Sequence, residues 1–227
     1  MEELSVKKEG ILLVNKPSGY TSHDIVEIVR KKLKIRKVGH AGTLDPLAEG
    51  LLVILVGRYT KLFQKFSSLD KEYLGTMKLG ETTTTGDSEG RIIKTRPFED
   101  ISEEKIKEVF FSFCGEIEQI PPMMSAKRIG GKRLYKLARR GIIIERPPKK
   151  VKIYEIKILN IQKPFVDFYV RCSKGTYIRK LVEDIGEKLD CGAHVTKIKR
   201  IAIGSFRLEN AISLEEIDYS HLKDFSI

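Results

Sequence analysis

The stretch that does most to set the fold is Gly39-His40-Ala41-Gly42-Thr43-Leu44-Asp45-Pro46, which is followed by the apolar run Leu51-Leu52-Val53-Ile54-Leu55-Val56. Such a run is too short to cross a bilayer and predicts a buried strand. Because a proline restricts the residue before it to an extended backbone, Pro46 should hold Asp45 in one orientation. These features predict a carboxylate mounted on a loop beside a buried strand. The alternative is that Asp45 only caps a turn, where Asp-Pro is common.

Strands and helices alternate on either side of this loop. Residues 11–14 read as a strand, and Thr21 or Ser22 can cap a helix with Ile25, Ile28, Val29 and Leu33 on its inner face. Further strands are predicted at 73–79, 150–161, 165–172 and 198–206, a polar loop at 81–90, and helices from Ser102, at 177–189 and at 214–222. Because several strands follow one another without helices between them, antiparallel pairing should be common. We therefore expect one α/β (α+β) domain over residues 1–227, with a central mixed, largely antiparallel sheet flanked by helices.

The charge balance points to a polyanionic partner. The chain has 42 Lys+Arg against 31 Asp+Glu, a net charge of +11, and such an excess attracts phosphates. One cluster is the basic stretch at 30–37. The other has seven cations between 119 and 141 with no acidic residue: Lys127, Arg128, Lys132, Arg133, Lys136, Arg139 and Arg140. We expect a protruding, partly helical, RNA-gripping insert at about 119–150, and the alternative is a solvated basic helix.

Other classes of site lack sequence support. No Gly-x-Gly-x-x-Gly or Walker-type loop occurs, and the three cysteines and four histidines lack metal-ligand spacing. We therefore expect no nucleotide cofactor and no metal. The first ten residues lack a secretory apolar segment, so the expected location is cytoplasmic, with no membrane association. By spacing alone, Arg179 could be part-buried in the first turn of its helix, and the alternative is a surface arginine. A tyrosine in a strand, such as Tyr73, is most often a packing residue, and Lys16 could equally be a turn residue in solvent.

The segment Lys37 to Leu52 closely resembles the signature of TruB-type tRNA pseudouridine synthases. Three further motifs match in the same order: Asn15-Lys16-Pro17-Ser18-Gly19, Lys71-Glu72-Tyr73, and Arg171-Cys172-Ser173-Lys174-Gly175-Thr176-Tyr177-Ile178-Arg179. Gln119-Ile120-Pro121-Pro122 and the basic insert are similar to the family's RNA-gripping thumb. The resemblance covers about residues 10 to 215. It implies a pseudouridine-synthase fold with a basic thumb insert, of the stand-alone bacterial type.

The resemblance also implies roles for individual residues. Asp45 matches the catalytic aspartate that acts on the ribose, Tyr73 the tyrosine that stacks on the base and is a candidate to remove its C5 proton, and Arg179 the arginine that pairs with the catalytic carboxylate. His40 matches a histidine that fills the gap left in the T-loop, Ile198 an apolar pocket residue, and Lys16 a motif lysine whose role looks more structural than chemical. The remaining candidates for RNA binding are Tyr177, Lys127, Arg128, Lys132, Arg133, Arg139 and Arg140.

The implied activity is isomerisation of uridine 55 in the T-loop of tRNA, with the base flipped into a pocket. One ionised carboxylate can attack the ribose as a nucleophile or remove its C2′ proton, and both routes stay open. The resemblance implies the T-arm of tRNA as the partner, with no cofactor and no obligate protein partner. Two alternatives remain: an RNA-binding or tRNA-folding protein with vestigial catalytic residues, and the catalytic subunit of a guide-RNA particle. The residues Leu47-Ala48-Glu49-Gly50 and the thumb favour the stand-alone enzyme.

Three departures from the family pattern concern RNA docking. Thr84 stands where the family has an acidic residue, and Met124 stands at an aromatic position. Many relatives continue beyond the position of Ile227 into a small PUA-like RNA-binding domain. We expect this domain to be absent here and RNA affinity to be weaker than in the longer relatives.

Overall fold

The computed structural model describes residues 9–125 and 127–225. The helices are α1 (Ser22–Leu33), α2 (Phe63–Ser67), α3 (Glu103–Phe111), α4 (Leu134–Ala138) and α5 (Ile178–Lys188), with short 3-10 helices at Gly57–Leu62, Leu208–Asn210 and Tyr219–His221. The strands are β1 (Gly10–Lys16), β2 (Val38–His40), β3 (Glu49–Val56), β4 (Lys71–Leu79), β5 (Glu81–Thr83), β6 (Ile92–Thr95), β7 (Gly115–Gln119), β8 (Arg128–Ile129), β9 (Lys132–Arg133), β10 (Lys149–Gln162), β11 (Phe165–Cys172), β12 (Ala193–Ile203) and β13 (Phe206–Arg207).

The chain forms two compact units. The first comprises the described residues up to Lys71 and those from Lys199 onward, and the second is Glu72–Ile198. The chain passes from the first unit to the second within β4 and returns within β12. Both units therefore contain part of β4 and part of β12.

The sheet of the first unit is built on β3. β1 pairs with β3 in antiparallel fashion from Gly10↔Val56 to Lys16↔Gly50. β2 is also antiparallel to β3, whereas the end of β12 is parallel to it at Lys199↔Glu49 and Arg200↔Gly50. The predicted buried strand at 51–56 is confirmed, since all six residues are at most 1% exposed. The loop between β2 and β3, which carries Asp45, therefore starts beside the central strand of this unit and ends on it.

The helix α1 begins and ends where the residue types require. The side chain of Thr21 accepts from the amide of Asp24, and the Asp24 side chain accepts from the amide of Thr21, which forms a capping box. The helix ends at Leu33, and the capping residue that follows, Lys34, has a left-handed φ of 50°. Its buried face contains Ile25, Val26, Val29 and Leu33. The predicted inner position of Ile28 is wrong, because Ile28 is only part-buried and Val26 lies inward instead.

The sheet of the second unit is an extended antiparallel array. β7 pairs with β10 from Gln119↔Lys149 to Gly115↔Ile153, and β10 pairs with β11 along most of its length. β4 and the beginning of β12 follow β11 in the order of strands. The helix α3 packs on one face, where the rings of Phe110 and Phe168 lie 6.1 Å apart. Parallel and antiparallel pairs thus both occur, and the predicted mixed, largely antiparallel sheet flanked by helices is confirmed.

Three predicted elements need correction. The last strand starts at Ala193 rather than at 198, because the residues from 193 already pair in the second unit. The polar loop at 81–90 contains the short strand β5, which pairs with β6. The predicted helix at 214–222 is absent apart from a 3-10 turn at Tyr219–His221. Its two flanks are hydrogen-bonded to β1, by Ile212 to Leu13 and by Lys223 to Ile11, and this pairing competes with helix formation.

Candidate active site

Asp45 lies in the loop between β2 and β3 of the first unit. The residue is part-exposed, whereas the nearby residues Leu44 and Ala48 are 4% and 2% exposed. The amide of Ala48 donates to the carbonyl of Asp45 at 3.1 Å and closes a turn around Pro46. The loop therefore buries Leu44 and Ala48 and leaves the residue with the carboxylate accessible.

Two buried polar side chains from the preceding segment anchor this loop. The hydroxyl of Ser22 accepts from the amide of Leu44 at 2.8 Å and donates to the carbonyl of Leu44 at 3.0 Å. The ammonium of Lys16, which is 0% exposed, donates to the carbonyls of Tyr20 at 2.7 Å, Pro17 at 2.9 Å and Pro46 at 3.3 Å. The residues directly before and after Asp45 are thus each tied to a buried side chain.

The side chain of Lys16 lies inside the first unit, against the Asp45 loop. The sequence made it a candidate for binding substrate or RNA with a role that looks more structural than chemical, and the structure places its buried ammonium against the Asp45 loop. Ser22 was not singled out from the sequence, because a serine at the start of a helix is ordinarily read as a cap. His40, by contrast, is the last residue of β2, opposite Ile54, and is part-buried.

Arg179 lies in the first turn of α5 in the second unit and is only 6% exposed. Its guanidinium donates to the carbonyl of Thr85 at 2.6 Å and to that of Met124 at 2.7 Å. It also forms an ion pair with Asp87 at 3.3 Å. A planar guanidinium held on several sides in this way has a fixed orientation. Of the two readings that spacing allowed for this arginine, part-buried or on the surface, the structure shows the buried one.

Asp87 was given no role in the sequence analysis. Its carboxylate accepts from the hydroxyl of Thr85 and from the amide of Glu89, and only 3% of the residue is exposed. Gly86 precedes it with a φ of 73°, and a Cβ at Gly86 would meet the carboxylate of Glu183 at 2.4 Å. The signal available in the sequence was the need of a buried arginine for a carboxylate partner. Although Thr84 stands where the family has an acidic residue, the carboxylate of Asp87 is present here.

Three further predicted residues belong to the second unit. Tyr73, on β4, and Ile198, on β12, are 8% and 5% exposed. Tyr177 immediately precedes α5, and the Gln119 side chain brackets it: the amide of Tyr177 donates to Gln119 Oε1 at 3.0 Å, while Gln119 Nε2 donates to the Tyr177 carbonyl at 3.3 Å. Gln119, which is 1% exposed, thereby joins the start of the thumb to the start of α5, the helix that carries Arg179.

The thumb consists of the ribbon β8–β9 followed by α4, so the expectation of a partly helical insert is confirmed. Leu134 is fully buried, and its amide donates to the carbonyl of Lys127. Five of the predicted RNA-binding cations are exposed: Arg128, Lys132, Arg133, Arg139 and Arg140. Lys127 is only part-exposed, and burial together with nearby Lys149 lowers its pKa. This surface suits phosphate contacts, with exposed cations around a small apolar anchor.

Tyr135 gives the thumb an aromatic surface. A hydrogen bond from Arg133 lowers the pKa of Tyr135, and the guanidinium carbon of Arg139 lies 5.5 Å from the centre of its ring. Cations around an aromatic ring are typical of surfaces that bind RNA.

Among the described residues, no group of three or more His, Cys, Asp or Glu side chains is placed to hold a metal ion. Within the same part of the chain, no helix has the length and apolar character needed to cross a membrane.

Comparison with known proteins identifies the family. The model described as "TruB family pseudouridylate synthase (N terminal domain)" matches residues 30–178, and that described as "tRNA pseudouridylate synthase B C-terminal domain" matches residues 179–224. The chain is 49% identical to tRNA pseudouridine synthase B of Clostridium kluyveri, over 96% of this chain and 75% of that protein. It is 42% identical to the protein of the same name from Opitutus terrae, over 92% and 87% of the two chains.

Solved structures agree with this assignment. The fold is similar to a chain in a crystal structure of a Cbf5-Nop10-Gar1 complex, with a TM-score of 0.73 and 32% identity over 92% of this chain. This chain spans 53% of that longer one. The resemblance read from the motifs and the expected pseudouridine-synthase fold are both confirmed. The chain belongs to the TruB family of pseudouridylate synthases.

Proposed function

We propose that this protein converts uridine 55 in the T-loop of tRNA to pseudouridine, with Asp45 as the carboxylate that acts on the ribose. The observation that carries the proposal is the mounting of Asp45: a part-exposed residue directly after the buried Leu44, in a loop tied to Ser22 and Lys16. A reacting group has to be held rigidly by its surroundings, and this loop meets that requirement.

The reaction needs only groups that the chain carries. The N1–C1′ bond breaks, the same base rejoins the ribose through C5, the C5 proton leaves, and N1 gains a proton. No electrons are gained or lost overall, so no external donor takes part. Asp45 either attacks the ribose or removes its C2′ proton, while Tyr73 and Arg179 keep the roles that the family resemblance assigns to them.

The target base has to leave its stack before it can react, at a cost of about a few kcal/mol. Phosphate contacts can offset this cost. Residues 119–150 contain ten lysines and arginines against one glutamate, and five of the predicted RNA-binding cations are exposed. We propose that this thumb and the basic stretch at 30–37 grip the T-arm while the base is extruded.

The test is tritium release from a tRNA transcript labelled at C5 of its uridines, with a matched transcript that carries cytidine at position 55. We expect release equal to one uridine per tRNA from the first transcript and none from the second. Absence of release while the RNA is demonstrably bound would make the protein an RNA-binding or RNA-folding protein. Release that requires an added guide RNA would instead favour a subunit of a guide-RNA particle.

A further inference from the structure

The strand β12 carries a fully buried arginine whose side chain reaches the Asp45 loop. Arg200 is 1% exposed and lies in the first unit, as the whole of that loop does. Its Nε donates to the carbonyl of Leu51 at 2.8 Å, its Nη2 to that of Gly42 at 3.0 Å, and its Nη1 to that of Thr43 at 3.4 Å. One guanidinium thus joins the start of β3 to the segment that leads into Asp45.

A glycine on β3 makes this approach possible. Gly50 has a φ of 101° and faces Arg200 across the parallel pair of strands. A Cβ at this position would lie 2.4 Å from the Arg200 carbonyl oxygen and 2.9 Å from its amide nitrogen. Any side chain at position 50 would therefore push β12 away and withdraw the guanidinium from the loop.

A second glycine shapes the turn whose carbonyls accept hydrogen bonds from Arg200. Gly42 has a φ of 98°, a backbone conformation that residues with a Cβ rarely adopt. The turn at Gly42 places two successive carbonyls, those of Gly42 and Thr43, within reach of the same guanidinium. A planar fork with five donors can bond three carbonyls at fixed angles, whereas a lysine ammonium is a point charge without that geometry.

We propose that Arg200 is a positioning residue for Asp45: by bonding the carbonyls of Gly42 and Thr43, it fixes the direction in which the loop presents the Asp45 carboxylate. The inference rests on the proposed role of Asp45. It predicts a specific kinetic signature, because the loop is misplaced while the RNA-gripping surface is untouched. The rate of the chemical step should fall, and RNA affinity should not.

The test compares Arg200→Met and Arg200→Lys with Lys199→Met. Lys199 is the adjacent residue on the same strand, its side chain is 42% exposed, and it pairs with Glu49 at 3.8 Å, so it matches Arg200 in charge and position but not in burial. Single-turnover tritium release at saturating protein gives the rate constant, and filter binding gives the dissociation constant for tRNA. We expect Arg200→Met to lower the rate constant by about tenfold to a hundredfold, with Arg200→Lys intermediate and Lys199→Met unchanged. The dissociation constants should be equal.

A rate constant for folded Arg200→Met equal to that of Lys199→Met would overturn the proposal, as would a loss confined to RNA affinity. Amide hydrogen exchange in residues 41–48 is a second readout that does not depend on activity. Exchange there should be faster in the Arg200 variants than in Lys199→Met, and equal exchange overturns the inference. If Arg200→Met does not fold, the comparison is made with Arg200→Lys. Wild type without tritium release would refute the proposed function alone, and the exchange experiment would still decide the role of Arg200.

Discussion

Replacing Lys16 with methionine removes the buried ammonium and keeps an unbranched side chain of similar length. In the folded protein, this ammonium donates to the carbonyls of Tyr20, Pro17 and Pro46 at 2.7, 2.9 and 3.3 Å. The carbonyl of Pro46 also accepts from the amide of Gly19 and keeps that bond in the variant. The loss is therefore concentrated on the carbonyls of Pro17 and Tyr20.

The magnitude follows from two opposing effects. A hydrogen bond to a charged donor contributes about 1.5–3 kcal/mol, so the two part-buried bonds to Pro17 and Tyr20 contribute about 3–6 kcal/mol. Methionine avoids the desolvation of a buried charge, which offsets part of this loss. We expect a decrease of about 3 kcal/mol in the free energy of unfolding. For a chain of this size, the corresponding fall in Tm is about 6–12 °C.

Urea unfolding followed by circular dichroism measures this loss. Lys31→Met is the control, because Lys31 is an exposed lysine on α1 of the same unit. The control should change the free energy of unfolding by less than about 0.5 kcal/mol. The expectation fails if Lys16→Met is no less stable than Lys31→Met, since the ammonium would then contribute nothing to holding the Asp45 loop.

Three further predictions concern the second unit. Asp87→Asn breaks a buried ion pair with Arg179 and should lower the free energy of unfolding, measured in urea, by about 3–5 kcal/mol. Asp190→Asn is the control, because its side chain is 99% exposed, and it should leave this free energy unchanged. Equal losses in the two variants would contradict a stabilising role of the buried ion pair. Burial raises the pKa of Glu183, so this carboxyl contributes stability at low pH that is lost as the pH rises through its pKa. Glu183→Gln should therefore be more stable than wild type at pH 8 and not at pH 4. Thermal unfolding of both proteins at the two pH values checks this. Replacing Arg139 and Arg140 with glutamine should reduce the slope of the logarithm of the tRNA binding constant against the logarithm of the salt concentration, by about 0.7–0.9 per lost phosphate contact. The control is the double variant Lys105→Gln/Lys107→Gln, on α3. Equal slopes in the two double variants would exclude these arginines from the interface.

Elements with strong local signals could be predicted from the sequence. The apolar run at 51–56 is the buried centre of β3, and the capping residues Thr21 and Ser102 begin α1 and α3 as expected. These signals lie within a few residues of the element that they specify. The predicted helix at 214–222 was wrong because both flanks of this segment pair with β1, at the other end of the chain, and no local pattern reports such pairing.

The residues of the candidate site likewise fall into those that the sequence revealed and those that it did not. Spacing offered Asp45 as a carboxylate on a loop and Arg179 as a part-buried arginine, with alternatives open, and motif order supplied their roles and that of Tyr73. Asp87 and Arg200 were missed, because their partners are distant in sequence and their burial depends on the tertiary fold. Arg200 follows Lys197 and Lys199 on the same strand, and no local pattern marks it as the cation that is buried.

Every step proposed for the reaction depends on the Asp45 carboxylate performing the chemistry. Single-turnover tritium release by wild type and Asp45→Asn, each at concentrations that saturate the tRNA, decides whether it does. Asparagine has nearly the same shape and cannot act as a nucleophile or base in this way. We predict that Asp45→Asn binds tRNA as tightly as wild type and releases no tritium. Release by Asp45→Asn at the wild-type rate would remove Asp45 from the reaction.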